Sequence, residues 1–375
     1  MGLLKGTLTF GRYRLLDPLP GNFQEFARRQ IKRFAFRELS PGSGEKSSGW
    51  TGLENILDNQ FEYSSHSVGD YLVFSFRLDR KTVPPSLMKI KVLEAERKTL
   101  QGKGKKVLSK GEKEEIKDRV HLDLLNSTHP VPSFFDVCWA LSQNWVIFGS
   151  LSSKVMEEFE KLFKESFNLT LSAWVPWDPS HIERSLAEKM ASLKEGVFLN
   201  PQTPDPGKAG PPLLGREFLT WLWFKSEERG GAVQIPGMGD VEVSFARRLA
   251  LESGGGEYSE SIVCQGLHAG LKEGRAAIQE GKKVKEARLQ LGVGPEKFEF
   301  TLKADSFNFQ TLRLPSGFGL EEEEKDREGR ILERIYLVEK ALKAVDQLFP
   351  VFLKRRLSPA WSSEEIPRIK KWLTK

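Results

Sequence analysis

Acidic residues two apart on a strand point their carboxylates to one face, and Asp240-Val-Glu242 is such a pair. Paired carboxylates can hold Mg²⁺ beside a scissile phosphate, which would make these two residues the metal site of a nuclease. The same spacing also describes the solvated face of an ordinary strand. Glu94 and Glu96 repeat it, but among lysines in a helical pattern, where local ion pairing accounts for them. Cys264 and His268 stand in a CxxxH spacing that offers two of the four ligands a zinc site needs. The five histidines, at 66, 121, 129, 181 and 268, contain no HExxH pair. Gly281-Lys-Lys lacks the upstream glycine and the hydroxyl of a phosphate-binding loop, and no GxGxxG follows a strand. These motifs lead us to expect no catalytic group, cofactor or metal, and the nuclease reading rests on Asp240 and Glu242 alone.

The residues that do form a pattern are basic. From Arg77 to Arg119 there are fourteen Lys or Arg against seven Asp or Glu. Residues 1–37 carry eight basic and two acidic groups, and residues 350–375 carry seven and two, while the whole chain is only +6. Positive charge segregated in this way, on a chain with pI near 9.1, points to a polyanion partner, most simply nucleic acid. Lysine and arginine contacts to phosphate give affinity without reading bases, and nothing here resembles a recognition helix or a C₂H₂ finger. Sequence-independent binding of duplex DNA is therefore the simplest fit. A scaffold that binds an acidic protein is the other reading of the same charge.

The chain of 375 residues, 39% hydrophobic with 25 Phe and 9 Trp, is long enough for more than one cored region. Two cysteines, Cys138 and Cys264, make no disulfide framework and fit a reducing cytoplasm. No apolar run approaches the roughly 18–20 residues that cross a bilayer, so no membrane partner is expected. The alternating start, with Lys5, Arg12 and Arg14, is not a secretory signal.

The elements that must carry these residues follow from periodicity. Leu8 to Leu15 reads as a strand, Asn22 caps a helix to about Phe34, and Tyr71 to Arg77 is a strand after a Ser/Gly/Pro-rich loop at 40–49. Pro84-Pro85-Ser86 opens a helix to about Leu100. Gly102-Lys-Gly makes a basic turn, and Ser109-x-x-Glu112 forms a capping box for a second helix to about Leu125. The basic stretch is thus a helical hairpin over about 84–125. Two strands around Ser142 to Asn144, a helix over 153–167 and a strand from Leu169 complete an N-terminal region, 1–199. Residues 200–215 hold five of the chain's 20 prolines and read as a linker. The C-terminal region, 216–375, opens on an apolar run at 218–224. Strands at 240–251, 286–291 and 296–302, a helix over 267–280, a long helix at about 321–353 and a basic tail after Pro350 follow. The fold class is α+β, with mixed or antiparallel sheets and packed helices.

With these segments in place the chain resembles the recombination-associated RdgC family. The resemblance is carried by Thr9-Phe-Gly-Arg-Tyr-Arg-Leu with Gly49-Trp50, and by Met88-Lys-Ile-Lys-Val-Leu-Glu-Ala-Glu-Arg leading through Lys105-Lys106 into Ser109-Lys-x-Glu112-Lys113. Pro132-Ser-Phe-Phe-Asp-Val-Cys-Trp and Val146-Ile-Phe-Gly-Ser add to it, as do Leu267-His-Ala-Gly-Leu-Lys-Glu-Gly, Glu280-Gly-Lys-Lys-Val-Lys-Glu and Phe298-Glu-Phe-Thr-Leu-Lys-Ala-Asp. The 200–215 segment, the Trp-rich 218–224 run and the basic tail depart from the pattern.

The resemblance implies a nucleoid-associated homodimer that closes into a ring around double-stranded DNA and limits the access of RecA. An exonuclease label that family members have carried finds no support in the motifs. Carried across residue by residue, the DNA-binding set is Lys89, Lys91, Arg97, Lys98, Lys103, Lys105, Lys106, Lys110 and Lys113, with Lys282, Lys283 and Lys285 from the second half. Phe134 and Phe135 are candidates for a ring-closing contact.

Overall fold

The computed structural model describes residues 2–19, 21–39, 44–61, 66–104, 106–193, 199, 212–253, 260–266, 272–315 and 327–374. In the first half, strands β1 (Leu8–Leu15), β2 (Lys46–Thr51), β3 (Ser67–Val68), β4 (Tyr71–Arg80), β5 (Val131–Ala140), β6 (Trp145–Phe148) and β7 (Leu171–Ala173) alternate with helices. These helices are α1 (Phe23–Arg33), α2 (Pro85–Lys103), α3 (Lys110–Ser127), α4 (Ser153–Phe167) and α5 (Arg184–Ala191). The second half holds α6 (Pro212–Ser226), β8 (Ala232–Ile235), β9 (Gly239–Glu252), β10 (Ser261–Gln265) and α7 (Lys272–Gln279). After these come β11 (Lys283–Val293), β12 (Glu296–Lys303), β13 (Phe309–Arg313), α8 (Arg327–Arg356) and α9 (Ile366–Leu373).

One antiparallel sheet path joins the halves in the order β10-β9-β11-β12-β13-β1-β6-β5-β4-β2. The joint is β1, which meets β13 through Leu8 and Phe10 and then β6 through Gly11 to Arg14, with a register shift between Leu8 and Phe10. The fold class is α+β, as the periodicities suggested.

The strands show why they sit where they do. β4 is buried along nearly its whole length because it is covered on both faces. Leu72, Phe74 and Phe76 point into a core with Trp50, Trp139, Phe148 and Phe159, capped by α1 and α4. Val73, with Cys138 and Ile147 of the neighbouring strands, points into the larger core shared with the second half. Aromatic rings lock the first core, with Phe148 stacked on Phe159 at 4.0 Å between centroids. β11 instead alternates, with Val284, Ala287, Leu289 and Leu291 turned inward. Its outer face carries charge, where Arg288 pairs with Glu299 at 2.9 Å and Arg248 with Glu286 at 2.9 Å.

Helix α6 is the apolar 218–224 run. It is apolar all round because it lies between β9, β11 and α8, burying Phe218, Trp221, Trp223 and Phe224. Gly215 lets it approach the sheet, since a Cβ there would lie 2.0 Å from the Ala304 carbonyl oxygen. Helix α8 seals the shared core and is stitched to the first half at three points. Arg334 donates to the carbonyls of Leu3 and Gly6 at 2.7 and 2.8 Å, the Tyr71 hydroxyl donates to Glu339 at 2.9 Å, and Arg12 pairs with Asp346 at 2.9 Å.

Several expectations change. Asn22 precedes α1, but its side chain makes no capping bond. The segment read as a loop over 40–49 becomes strand β2 from Lys46, while 40–43 lie outside the described residues. Residues 200–211 of the expected linker also lie outside them, and 212–215 already belong to α6. The helix expected from Leu267 is described from Lys272, and the one expected from Glu321 from Arg327. That long helix runs through Pro350 to Arg356. The basic tail is folded rather than free, because Trp361, Ile366, Ile369, Trp372 and Leu373 are all buried in the shared core.

Candidate nucleic-acid interface

The basic stretch is a helical hairpin built from local signals. Pro84 and Pro85 open α2, where a missing N–H costs nothing, and Gly104 closes it in the left-handed conformation at φ 61°. The reciprocal capping box is formed: the Glu112 N–H donates to Ser109 Oγ, and the Ser109 N–H donates to the Glu112 carboxylate at 2.9 Å. α2 buries no residue, and α3 buries only Ile116 and Leu125. The two helices pack chiefly on each other, so the hairpin stands away from the ends of β4 and β5 that it connects. At 1.5 Å per residue the 19 residues of α2 extend about 28 Å.

Lys89, Lys91, Arg97, Lys98, Lys103, Lys106, Lys110 and Lys113 are all exposed, and Lys105 lies outside the described residues. Two of the eight are engaged, Lys91 with Glu94 at 2.9 Å and Lys103 with Glu112 at 2.9 Å. Lys89, Arg97, Lys98, Lys106, Lys110 and Lys113 have no carboxylate within ion-pair distance among the described residues. At 100° per residue the cations of α2 surround its three solvent sides rather than one stripe. Lys110 and Lys113 sit in the first turn of α3, where the helix dipole disfavours positive charge. They cost α3 some stability while raising the positive potential at the hairpin's free end.

The other basic segments behave differently. In the tail, Arg356 is buried against Glu217 at 2.9 Å, Arg355 meets Glu364 at 2.7 Å and Glu365 at 3.1 Å, and Arg368 meets Glu228 at 2.6 Å. Those charges hold α8 and α9 to α6 and are not free for a partner. The Glu280-Gly-Lys-Lys-Val-Lys turn is split in the same way. Lys282 is only 6% exposed and turned onto Glu260 at 3.0 Å and Glu280 at 3.2 Å, which removes it from the set of free cations. Lys285 pairs with Glu252 at 2.8 Å, and Lys283 is half-buried without a carboxylate in ion-pair distance among the described residues. β11 is also five to six strands from β4 and β5 along the sheet, about 25–30 Å, so one protomer does not gather the two groups into one patch.

The residues considered for chemistry do not converge. Asp240 and Glu242 share the exposed face of β9, but only Glu242 borders the groove of about 550 Å³ that it forms with Lys297, Glu299 and Arg313. Among the described residues no third His, Cys, Asp or Glu completes a metal cluster with them. Cys264 is buried, burial pushes its thiol pKa up, and His268 lies outside the described residues. Phe134 lies over the Arg77 guanidinium, and Phe135 packs on Phe76 and Phe148, so both are half-buried in the sheet. Exposed apolar residues sit instead on α2, at Leu87, Ile90 and Leu93, which are 37, 53 and 56% exposed on the side away from α3. The three- and six-residue spacing from Leu87 marks that stripe, which the sequence reading had passed over in favour of the phenylalanines.

The match to known families falls on this same half. Residues 10–193, which include most of β1, the whole hairpin and the β5–β6–α4 unit, match the family model described as "Putative exonuclease, RdgC". Over these residues, just under half of the chain, it is similar to the RdgC family. No curated protein matches the chain significantly. The RdgC family is recombination-associated, and the RdgC match covers every hairpin cation named above but neither the Lys282 turn nor Asp240 and Glu242. No described helix is long and apolar enough to cross a membrane.

Proposed function

We propose that the chain binds double-stranded DNA without regard to sequence, through phosphate contacts from the α2–α3 hairpin. The observation that carries this reading is the set of six exposed cations with no carboxylate within ion-pair distance among the described residues, on an element that contributes almost nothing to either core. A hairpin about 28 Å long runs beside on the order of 16 phosphate charges of duplex DNA, at one per about 1.7 Å of axis. The charges lie around the helix rather than along one readout face, and this suits a backbone track better than base recognition.

In this reading two copies form a ring-like homodimer around the duplex, and occupancy limits the access of RecA during homologous recombination. The Leu87, Ile90 and Leu93 stripe gives the hairpin an apolar surface for closing such a ring. The protein would then be a nucleoid-associated cytoplasmic protein with no cofactor, acting on RecA only through the DNA. Encirclement predicts a topological signature: the protein stays on a closed circular duplex when salt is raised and slides off once the same circle is cut. Equal loss from circular and linear DNA contradicts the ring.

The description of the family model favours a second reading, a Mg²⁺-dependent DNA exonuclease, for which Asp240 and Glu242 are the metal candidates. Incubation of end-labelled linear and nicked duplex with Mg²⁺ or Mn²⁺ decides it: product that disappears in Asp240→Asn supports the nuclease, and intact substrate refutes it.

A further inference from the structure

Between the sheet and α8, where the two halves meet, lies a cleft of about 470 Å³. Arg12 and Ile147 stand opposite one another on β1 and β6, and Trp145 lies two residues from Ile147 on the same face. Leu342, Lys343 and Asp346 close the cleft from α8, and Trp174, just past β7, lays its ring 3.7 Å from the Arg12 guanidinium carbon. The acids of the cleft are engaged. Asp346 takes Nη1 of Arg12 on both oxygens at 2.9 Å, and Glu339 accepts from the Tyr71 hydroxyl at 2.9 Å and the Gln143 amide at 3.2 Å. The cations are not used up. Arg12 is only 6% exposed, yet its Nε and Nη2 have no hydrogen-bond partner among the described residues. Charged donors left unsatisfied in the interior are costly, so these two nitrogens call for an acceptor. Lys343, exposed at the rim, has no carboxylate within ion-pair distance among the described residues.

We propose that this cleft binds a small aromatic monocarboxylate, with its carboxylate on Lys343 and the Nε and Nη2 donors of Arg12 and its ring against the two indoles. Unused donors select an acceptor, and the Nε and Nη2 edge of a guanidinium is a planar fork that a carboxylate meets with two parallel bonds. Arg12 and Lys343 are balanced by Asp346 and Glu339, so the cleft has no net formal charge. It therefore suits a monoanion better than the dianion of a phosphate ester. The body of the ligand must be flat and apolar. Trp145 spends its N–H on Gln143 at 3.0 Å and presents its ring, while Ile147 and Leu342 add alkyl surface. The volume is in the ordinary range for a small-molecule site. The free nitrogens of Arg12 are closed to solvent, so seating the carboxylate takes a shift of a wall side chain. The half-buried Trp174 ring over the guanidinium is the one placed to make it. Ile147 pairs with Cys138, about 23 Å along β5 from Val131, where the hairpin joins. The site is thus separate from the hairpin and stands or falls apart from the DNA reading.

Titration calorimetry of the full-length chain with cinnamate, and with cinnamamide and adenosine for comparison, tests the site. The parent takes up one cinnamate per chain, while cinnamamide, the same shape without the charge, binds about tenfold more weakly or worse. Lys343→Met, at an exposed position, raises the cinnamate dissociation constant about threefold or more. Arg12→Lys keeps a cation facing Asp346 but lacks the fork, and raises it about tenfold or more. Arg12 also joins the two halves, so Lys343→Met carries the test if Arg12→Lys unfolds. No binding of cinnamate at millimolar concentration, equal binding of cinnamamide, tighter binding of adenosine, or an affinity untouched by Lys343→Met overturns the proposal.

Discussion

Removing Lys106, Lys110 and Lys113 together separates the roles assigned to the basic residues. These three are exposed at the free end of the hairpin and have no acidic partner among the described residues. Each phosphate contact contributes about 0.9 to the slope of log K against log[salt], so a Lys106→Ala/Lys110→Ala/Lys113→Ala variant lowers the slope by about 2.7 per protomer. Extrapolated to a common value at 1 M salt, this is an affinity loss of about 10²-fold at 0.15 M, roughly 3 kcal/mol. Folding is not the cause, because lysines in the first turn of α3 oppose its dipole and their removal leaves that helix intact or slightly firmer. The matched control is Lys282→Met, which removes a lysine already committed to Glu260 and Glu280 and leaves the slope unchanged. Fluorescence anisotropy over a salt series reads both variants. An unchanged slope in the triple variant, or an equal drop for Lys282→Met, refutes the division between free and committed cations.

Other perturbations test the framework. Arg12→Met strands Asp346 beneath α8 and loosens the joint between the halves, at a cost of about 3 kcal/mol in urea unfolding; a loss below about 1 kcal/mol contradicts a structural role for the pair. Gly49→Ala drives a Cβ to 2.3 Å from the Phe36 Cα, so it destabilises by about 1–3 kcal/mol or more, and a stable variant refutes the close approach of α1's exit to β2. His66 is buried, and desolvation with Arg28 and Lys32 nearby pushes its pKa down to about 4. The unfolded chain therefore binds this proton first. As pH falls from about 6.5 to about 4, stability drops by up to roughly 3 kcal/mol from this group. His66→Leu flattens that part of the pH profile; an unchanged acid limb shows that His66 is not its source.

What could be read in the sequence was what neighbours in the chain decide. β1, α4 and the Ser109–Glu112 capping box came from alternation, a 3.6-residue period and a four-residue motif, and all three stand as expected. β2 was missed because Lys-Ser-Ser-Gly has loop composition, and its strand conformation comes from pairing with β4, with Gly49 admitting the Phe36 backbone. The fate of the lysines was equally non-local. Lys282 and Lys106 look alike in sequence, yet one is met by Glu260, just before β10, and the other has no carboxylate within ion-pair distance among the described residues. The tail's basic surplus pointed to a binding segment until Glu217, Glu228, Glu364 and Glu365 were seen to take up Arg355, Arg356 and Arg368. Charge counted along a chain measures supply, and only the fold shows which cations are left over.

The most direct test of sequence-independent phosphate binding is the affinity of the unaltered protein for two unrelated duplexes of equal length, measured across a salt series. The hairpin's six free cations predict a linear fall of log K with log[salt], with a slope of at least about −5 per protomer engaged, and the two duplexes superimpose. Binding that differs more than tenfold between the duplexes, or that ignores salt, or that is absent at low salt, contradicts the account.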